Sequence, residues 1–319
     1  MTAHSDLGKS SWSRLKPVKD PLDAVGFVSK GDQKLRDLKA QENYFSQIKQ
    51  RYLEFCARHT GDLDAAWASL PTSASGDATK NPPASIPGTS VKSKNPSSAS
   101  ASAELSVILL SLRKLREAVL STSSQTSASF SQHVHIFSIK LSIRAKHPPS
   151  YYPSLRYLLE QLHTPSHPVP QSELNEFVSY IILDYACRQE DLVSAFEWRA
   201  RARSQYSFQS SIVDRVLAAL AHDNWIVFWG LRKEVDSLTR AIMDWAEDRV
   251  RRRALQAVGS AYPNVGVKWI TEGCTGDKTW TWERLADVEK LGWQREGDKI
   301  IIKKPRLRPG QPLQPAGGK

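Results

Sequence analysis

Apolar residues recur at three- and four-residue steps through most of this chain, the spacing that places them on one side of an α-helix. Over residues 37–70, Tyr44, Ile48, Tyr52 and Phe55 fall on one face. Residues 104–120, "ELSVILLSLRKLREAVL", predict an amphipathic helix. "HVHIFSIKLSIRAKH" alternates β-branched and polar residues and fits either a strand or another helix. "YYPSLRYLLEQLHT" predicts a helix stopped by Pro165, Pro168 and Pro170. "QSELNEFVSYIILDYACRQ" predicts the next, capped by Ser172, with Leu174, Phe177, Val178, Ile181 and Ile182 as its apolar stripe. "SLTRAIMDWAEDRVRRRALQAVGSAYP" predicts a long helix burying Leu238, Ile242, Trp245, Val250, Leu255 and Val258, and ending near Gly259 and Pro263.

Three short pieces resemble one another: "GDLDAAW" (61–67), "EDLVSAF" (190–196) and "DNWIVFW" (223–229). In each, Asp62, Asp191 or Asn224 can cap the next helix by accepting a backbone N–H. The apolar residues one, four and five positions behind the cap would face the preceding helix. The last two pieces lie 33 residues apart, close to the period of about 34 of helix-turn-helix repeats. Trp225 and Trp229, one turn apart, therefore read as a packing joint rather than a ligand site.

After residue 258 the period changes. "VGVKWI" (265–270) reads as a short strand and "TEGCTGDKT" as a turn region. "WTWERLADVEKLG" reads as a helix capped by Thr281 or by the residue before it, Trp280, and ended by Gly292, and "WQREGDKIIIKK" as a β-hairpin. Helix, strand, helix and hairpin in that order suit a winged helix. The predicted fold class is mostly α: TPR-like helical repeats followed by a C-terminal winged-helix module. The aperiodic segments complete the organisation: a polar, disordered arm over 1–36, helices over 37–70, a Ser/Ala/Pro-rich disordered linker over 71–103, repeats over 104–258, the module over 259–304, and a Pro/Gly-rich basic tail over 305–319.

The stretches "SELNEFVSYIILDYACRQEDLVSAFEWR", "VLAALAHDNWIVFWGLRKEV", "RVRRRALQAVGSAYPNVGVKWI" and "GWQREGDKIIIKK" together resemble a PCI domain. The resemblance is to the branch that groups COP9 signalosome subunit 8, proteasome lid non-ATPase subunit 8 and the k subunit of translation initiation factor three. It covers roughly residues 150–304, by pattern rather than by an invariant motif. It implies a non-catalytic scaffold subunit whose partners are other subunits of a PCI-containing complex, with winged helices of neighbours pairing through their sheet edges. By that analogy Ile300, Ile301, Ile302 and Lys303 are the candidate partner-binding edge strand. Family members continue into a C-terminal helix; here the chain ends "KKPRLRPGQPLQPAGGK", whose prolines and glycines oppose a helix.

Composition adds one alternative. The net charge is +11 and there are ten tryptophans. The second reading is a nucleic-acid-binding PCI adaptor in mRNA processing or export, holding an RNA or DNA backbone through Arg249, Arg251, Arg252, Arg253, Lys304 and Arg306. Against it, the recognition-like helix carries Glu283, Asp287 and Glu289, which a major groove would repel. "KKPRLR" also fits a nuclear import signal.

Catalytic and cofactor signals are weak. His133 and His135 form an HxH pair with no acidic residue following, and zinc needs a third ligand. His163 and His167 straddle Pro165. No phosphate-binding glycine loop or nucleophile elbow occurs. The expectation is no enzyme activity, no cofactor, no metal and no small-molecule substrate. Cys56, Cys187 and Cys274 form no framework, the start lacks an apolar secretory core, and no apolar run is long enough for a bilayer. The expected location is the cytoplasm, the nucleus or both.

Overall fold

The computed structural model describes residue 22, residues 24–70 and residues 96–303, with side chains from residue 100 in the last stretch. These residues are mostly helical. The chain divides into two compact units, residues 1–158 and 159–319.

In the first unit, α1 (Leu38–Arg58) starts at Asp37, whose carboxylate accepts the Ala40 N–H at 3.0 Å. Tyr44, Ile48 and Phe55 are buried, as their spacing predicts. Asp62 caps α2 (Leu63–Trp67), which buries Trp67. α3 spans Pro96–Ser121, so the end of the segment read as a disordered linker is helical instead. A proline suits a helix start and alanine is the strongest helix former, which carries the helix back through the Ser/Ala run. The ambiguous histidine-containing run is helical, α4 (Ala128–Arg144), capped by Ser127. α5 (Pro148–Tyr157) follows and packs against it. Part of the expected disordered arm is also built in: Leu22 and Leu35 are buried, with Val25 and Val28 against the same core. Four apolar residues at irregular spacing carry no period for the pattern to detect.

A polar seam runs through this unit. Nη1 of the buried Arg116 donates to the Ser138 hydroxyl at 2.9 Å, and to the Ser150 carbonyl and the Ser154 hydroxyl. His135, 2% exposed, stacks on Tyr157 at 4.8 Å. Burial first, and then the Arg116 charge, push the His135 pKa down from 6.5 to about 3. Its folded pKa is depressed, so below about 6.5 the unfolded chain binds the extra proton and stability falls as pH falls. The first unit is expected to lose about 2 kcal/mol between pH 6.5 and pH 5. Urea unfolding followed by circular dichroism at the two pH values checks this, and His135→Gln should flatten the dependence.

The second unit opens with α6 (Gln171–Leu183), α7 (Leu192–Tyr206), α8 (Ser211–Ala221) and α9 (Trp225–Glu234); α6 packs on α7 and α8 on α9. Ser172 does not cap α6. Residue 170 takes that place, and its backbone carbonyl accepts the Leu174 N–H at 2.9 Å. A common corner then recurs. Glu190 and Asp223 sit at φ 60° and 51°, each directly before an N-cap residue. Asp191 accepts the Ser194 N–H at 2.9 Å and Asn224 accepts the Val227 N–H at 3.2 Å. A left-handed residue reverses the chain and the cap satisfies an orphan donor. Lys146, at φ 47° before His147, repeats the left-handed residue in the first unit, without a side-chain cap. This is the helical-repeat character that the sequence pieces suggest. Behind the caps Ala195, Phe228 and Trp229 are buried, whereas Phe196 is 40% exposed.

The expected long helix is broken into α10 (Ser237–Met243) and α11 (Glu247–Ala261) by a 3-10 turn at Asp244–Ala246. Then come β1 (Asn264–Gly266), α12 (Val267–Thr275), α13 (Trp282–Val288), β2 (Gln294–Glu296) and β3 (Lys299–Ile301). The strand and turn expected over 265–275 are mostly α12. Ile270 and Cys274, one turn apart, are both buried, which a helix allows. Thr281 caps α13 as expected, accepting the Arg284 N–H at 3.3 Å. Gly297 takes φ 62° in the two-residue hairpin loop, where only glycine turns without strain.

The sheet order is β1-β3-β2, both pairs antiparallel. The candidate edge strand is therefore the centre of the sheet. Ile300 is fully buried, and the Ile302 and Lys303 N–H groups both donate to the Pro263 carbonyl at 2.9 and 3.1 Å. The open edges belong to β1 and β2. The bonds from Ile302 to Pro263 and from Val267 to Asp298 fix the β1–β3 alternation, so the N–H and C=O groups of Asn264 and the N–H of Gly266 point away from β3, while the Gly266 carbonyl serves as the N-cap acceptor of α12.

Candidate functional site

α11 carries the arginine run, and the structure sends its side chains in different directions. Arg251 is 6% exposed. It pairs with Glu289 and Asp248, each at 2.6 Å. Burial opposes its charge, but the bonds to Glu289 and Asp248 outweigh burial and raise its pKa. Its guanidinium lies 4.7 Å from the Trp280 ring centre, and that of Arg284 lies 4.3 Å away. Arg249 holds Glu190 at 3.2 Å and donates to the Ala186 carbonyl at 2.9 Å. Arg253 holds Asp223 at 2.9 Å. Arg252 is 62% exposed, with Glu289 at 4.0 Å. Arg251 is thus a buried structural cation, Arg249 and Arg253 pair with acids at the repeat corners, and Arg252 and Arg253 remain exposed. The acidic α13 has the same explanation: Glu289 serves Arg251, and Glu283 pairs with Arg295 of β2 at 2.8 Å. Lys304 and Arg306 lie outside the described residues.

The two repeat corners and α11 enclose a cavity of about 230 Å³. Leu192, Trp225, Phe228 and Val250 form its apolar lining, and the Arg249–Glu190 and Arg253–Asp223 pairs stand in its wall. Directly beyond the lining residues Leu192 and Trp225 come Val193, 70% exposed, and Ile226, 64% exposed. They occupy equivalent positions in two repeats, where the first piece has Asp64 in an ion pair with Arg144. Periodicity counted them as ordinary helix residues. The signal for them was the cap: the second residue behind an N-cap faces outward, and β-branched apolar residues there are left in water.

The histidines are placed by local geometry. His133 is exposed and His135 buried, because residues two apart on a helix point to opposite faces. His163 Nδ1 accepts the Val169 N–H at 3.2 Å, and His167 N–H bonds back to Thr164. Burial pushes the thiols of Cys187 and Cys274 up to about 12, which leaves them protonated at neutral pH. Among the described residues, no three His, Cys, Asp or Glu side chains group as metal ligands, and no helix is long and apolar enough to cross a membrane.

Compared with known proteins, the chain matches no family model, no curated protein and no solved structure.

Proposed function

We propose that this chain is a non-catalytic scaffold or adaptor subunit of a multi-subunit assembly, of the proteasome lid, signalosome or initiation-factor type, working through a PCI-like second unit. The observation that carries the reading is the order of elements behind the repeat corners. α11, β1, α12, α13, β2 and β3, with sheet order β1-β3-β2, follow the helix-strand-helix-helix-strand-strand order of a winged helix. Repeats that end in such a module serve to display surfaces, and this one displays apolar residues at its corners. Val193 and Ile226 beside an apolar-floored cavity are the kind of patch that marks a protein contact. A place in the cytoplasm or nucleus accords with this role.

The test is purification of the tagged chain from its own cells after nuclease treatment, with mass spectrometry of what stays bound. The reading expects a defined set of subunits to co-migrate with the chain. Val193→Asp with Ile226→Asp should release them by at least tenfold in recovery, while leaving the melting temperature unchanged, because both residues are exposed. Migration of the native chain as a free monomer, or an assembly indifferent to the double variant, would count against it.

A further inference from the structure

We infer that the β1 end of the sheet binds single-stranded nucleic acid, with Tyr262 and Trp269 as the base platform. This goes beyond the scaffold reading and uses other residues. Tyr262 is 48% exposed and Trp269 44% exposed, and their rings meet at 6.0 Å and 61°. A soluble fold gains nothing by holding two large rings half in water against each other. They bracket β1, whose outward edge offers the N–H and C=O groups of Asn264 and the N–H of Gly266; the Gly266 carbonyl starts α12 as its N-cap. These outward groups are unused in the ladder and stand between the rings in sequence.

The surrounding charge selects the ligand. From Arg249 to Thr271, and again from Lys299 to Lys319, the chain contains no acidic residue. The pairing of β1 with β3 sets residues 264–266 of the first stretch against residues 299–301 of the second. Lys268, next to Trp269, is exposed. Lys303 is exposed and is held against the end of α11, its Nζ donating to the Ser260 carbonyl at 2.9 Å. Arg252, Gln256 and Ser260 form one exposed row at four-residue steps leading to it. One carboxylate, Glu289, stands 4.0 Å from Arg252 and is already held at 2.6 Å by the buried Arg251; Glu272 follows within α12 and Asp298 in the hairpin loop. Phosphates therefore fit the Lys303–Arg252 row and bases the rings. Aromatic rings, cations and backbone donors together are the equipment of a single-strand groove. A duplex keeps its bases stacked inside and cannot use the rings. An acidic peptide could use the cations and the edge amides, but has no need of two exposed aromatic rings.

The experiment is fluorescence anisotropy of a labelled oligothymidylate and an oligouridylate of about fifteen nucleotides, a length in the range such grooves cover, titrated with the full chain. The expected result is binding to single strands that weakens by about tenfold or more between 50 and 200 mM salt. A duplex of the same length should bind at least tenfold more weakly. Trp269→Ala with Tyr262→Ala should lose about tenfold or more, while Trp269→Phe retains most of the affinity and shows that the site still folds. Lys268→Glu should weaken binding and flatten the salt slope. No binding at low salt overturns the proposal. So does binding indifferent to the ring variants, which would place it on the charged tail alone. Tighter, ring-dependent binding of a polyglutamate peptide would make the patch an acidic-peptide site and also overturn it. The scaffold reading stands apart from all of these outcomes, since its variants lie on α7 and α9.

Discussion

Gly276→Ala is expected to lower the unfolding free energy of the second unit by about 2–5 kcal/mol. Two costs combine at this position. Gly276 ends α12 at φ 70°, ψ 0°, its N–H bonded to the Glu272 carbonyl at 2.9 Å. A side chain there pays about 1–2 kcal/mol for the left-handed backbone. The second cost is contact. A Cβ on Gly276 would fall within 2.7 Å of three atoms of the Trp229 indole, closer than any van der Waals separation. Trp229 is 4% exposed, and a buried ring in a close-packed interior has little room to retreat. Overpacking of this kind adds about 1–3 kcal/mol, a large part of the 5–15 kcal/mol typical of a domain. Gly297→Ala separates the two effects. It has φ 62° in the same unit and nothing within 4 Å of its Cβ, so it carries the backbone cost alone. Urea unfolding followed by tryptophan fluorescence should place Gly276→Ala about 1–3 kcal/mol below Gly297→Ala. Equal values would mean that Trp229 does not rest on Gly276.

The same tryptophan shows how far the sequence could be read. The caps before Leu63, Leu192 and Trp225 were legible, because capping is a local transaction between a side chain and an N–H three residues on. The inward turn of Phe228 and Trp229 followed from spacing. What rests on Trp229 was not legible, since Gly276 lies 47 residues further along the chain. Strand order failed for the same reason. By analogy "KIIIKK" is a candidate edge, yet three consecutive isoleucines are the mark of a strand covered on both sides, whereas the charged "QRE" of β2 is how an edge protects itself. Of the counter-charges on the arginine run, Asp248 is local to Arg251 and legible in the sequence, whereas Glu289 is 38 residues from Arg251 and Asp223 is 30 from Arg253, beyond the reach of a local pattern. Trp269 was hidden by its assignment to a strand. Once α12 is seen to begin at Val267, Trp269 falls in an exposed first turn beside Tyr262.

Arg251→Met is expected to cost the second unit about 3–5 kcal/mol, nearly all of it recovered when Glu289→Leu is added. The pair is 8% exposed on both side chains and closes at 2.6 Å. Removing Arg251 alone strands the Glu289 carboxylate in a place water barely reaches. Arg252 stands 4.0 Å from that carboxylate and can take up part of the charge, which puts the expected loss toward the lower end of the range. Trp280 keeps Arg284 over its ring at 4.3 Å and so stays partly covered. The double variant exchanges an ion pair for apolar contact next to Leu285 and Leu255 of the same core, where burial is favourable and no desolvation is owed. A double-mutant cycle in urea should therefore give a coupling of about 3 kcal/mol or more, little changed between about 0.05 and 0.5 M salt, because ions screen buried pairs poorly. Losses that simply add would show that the two side chains act separately. If Arg251→Met left stability intact, Arg251 would be a surface residue, and the basic-surface reading of α11 would return.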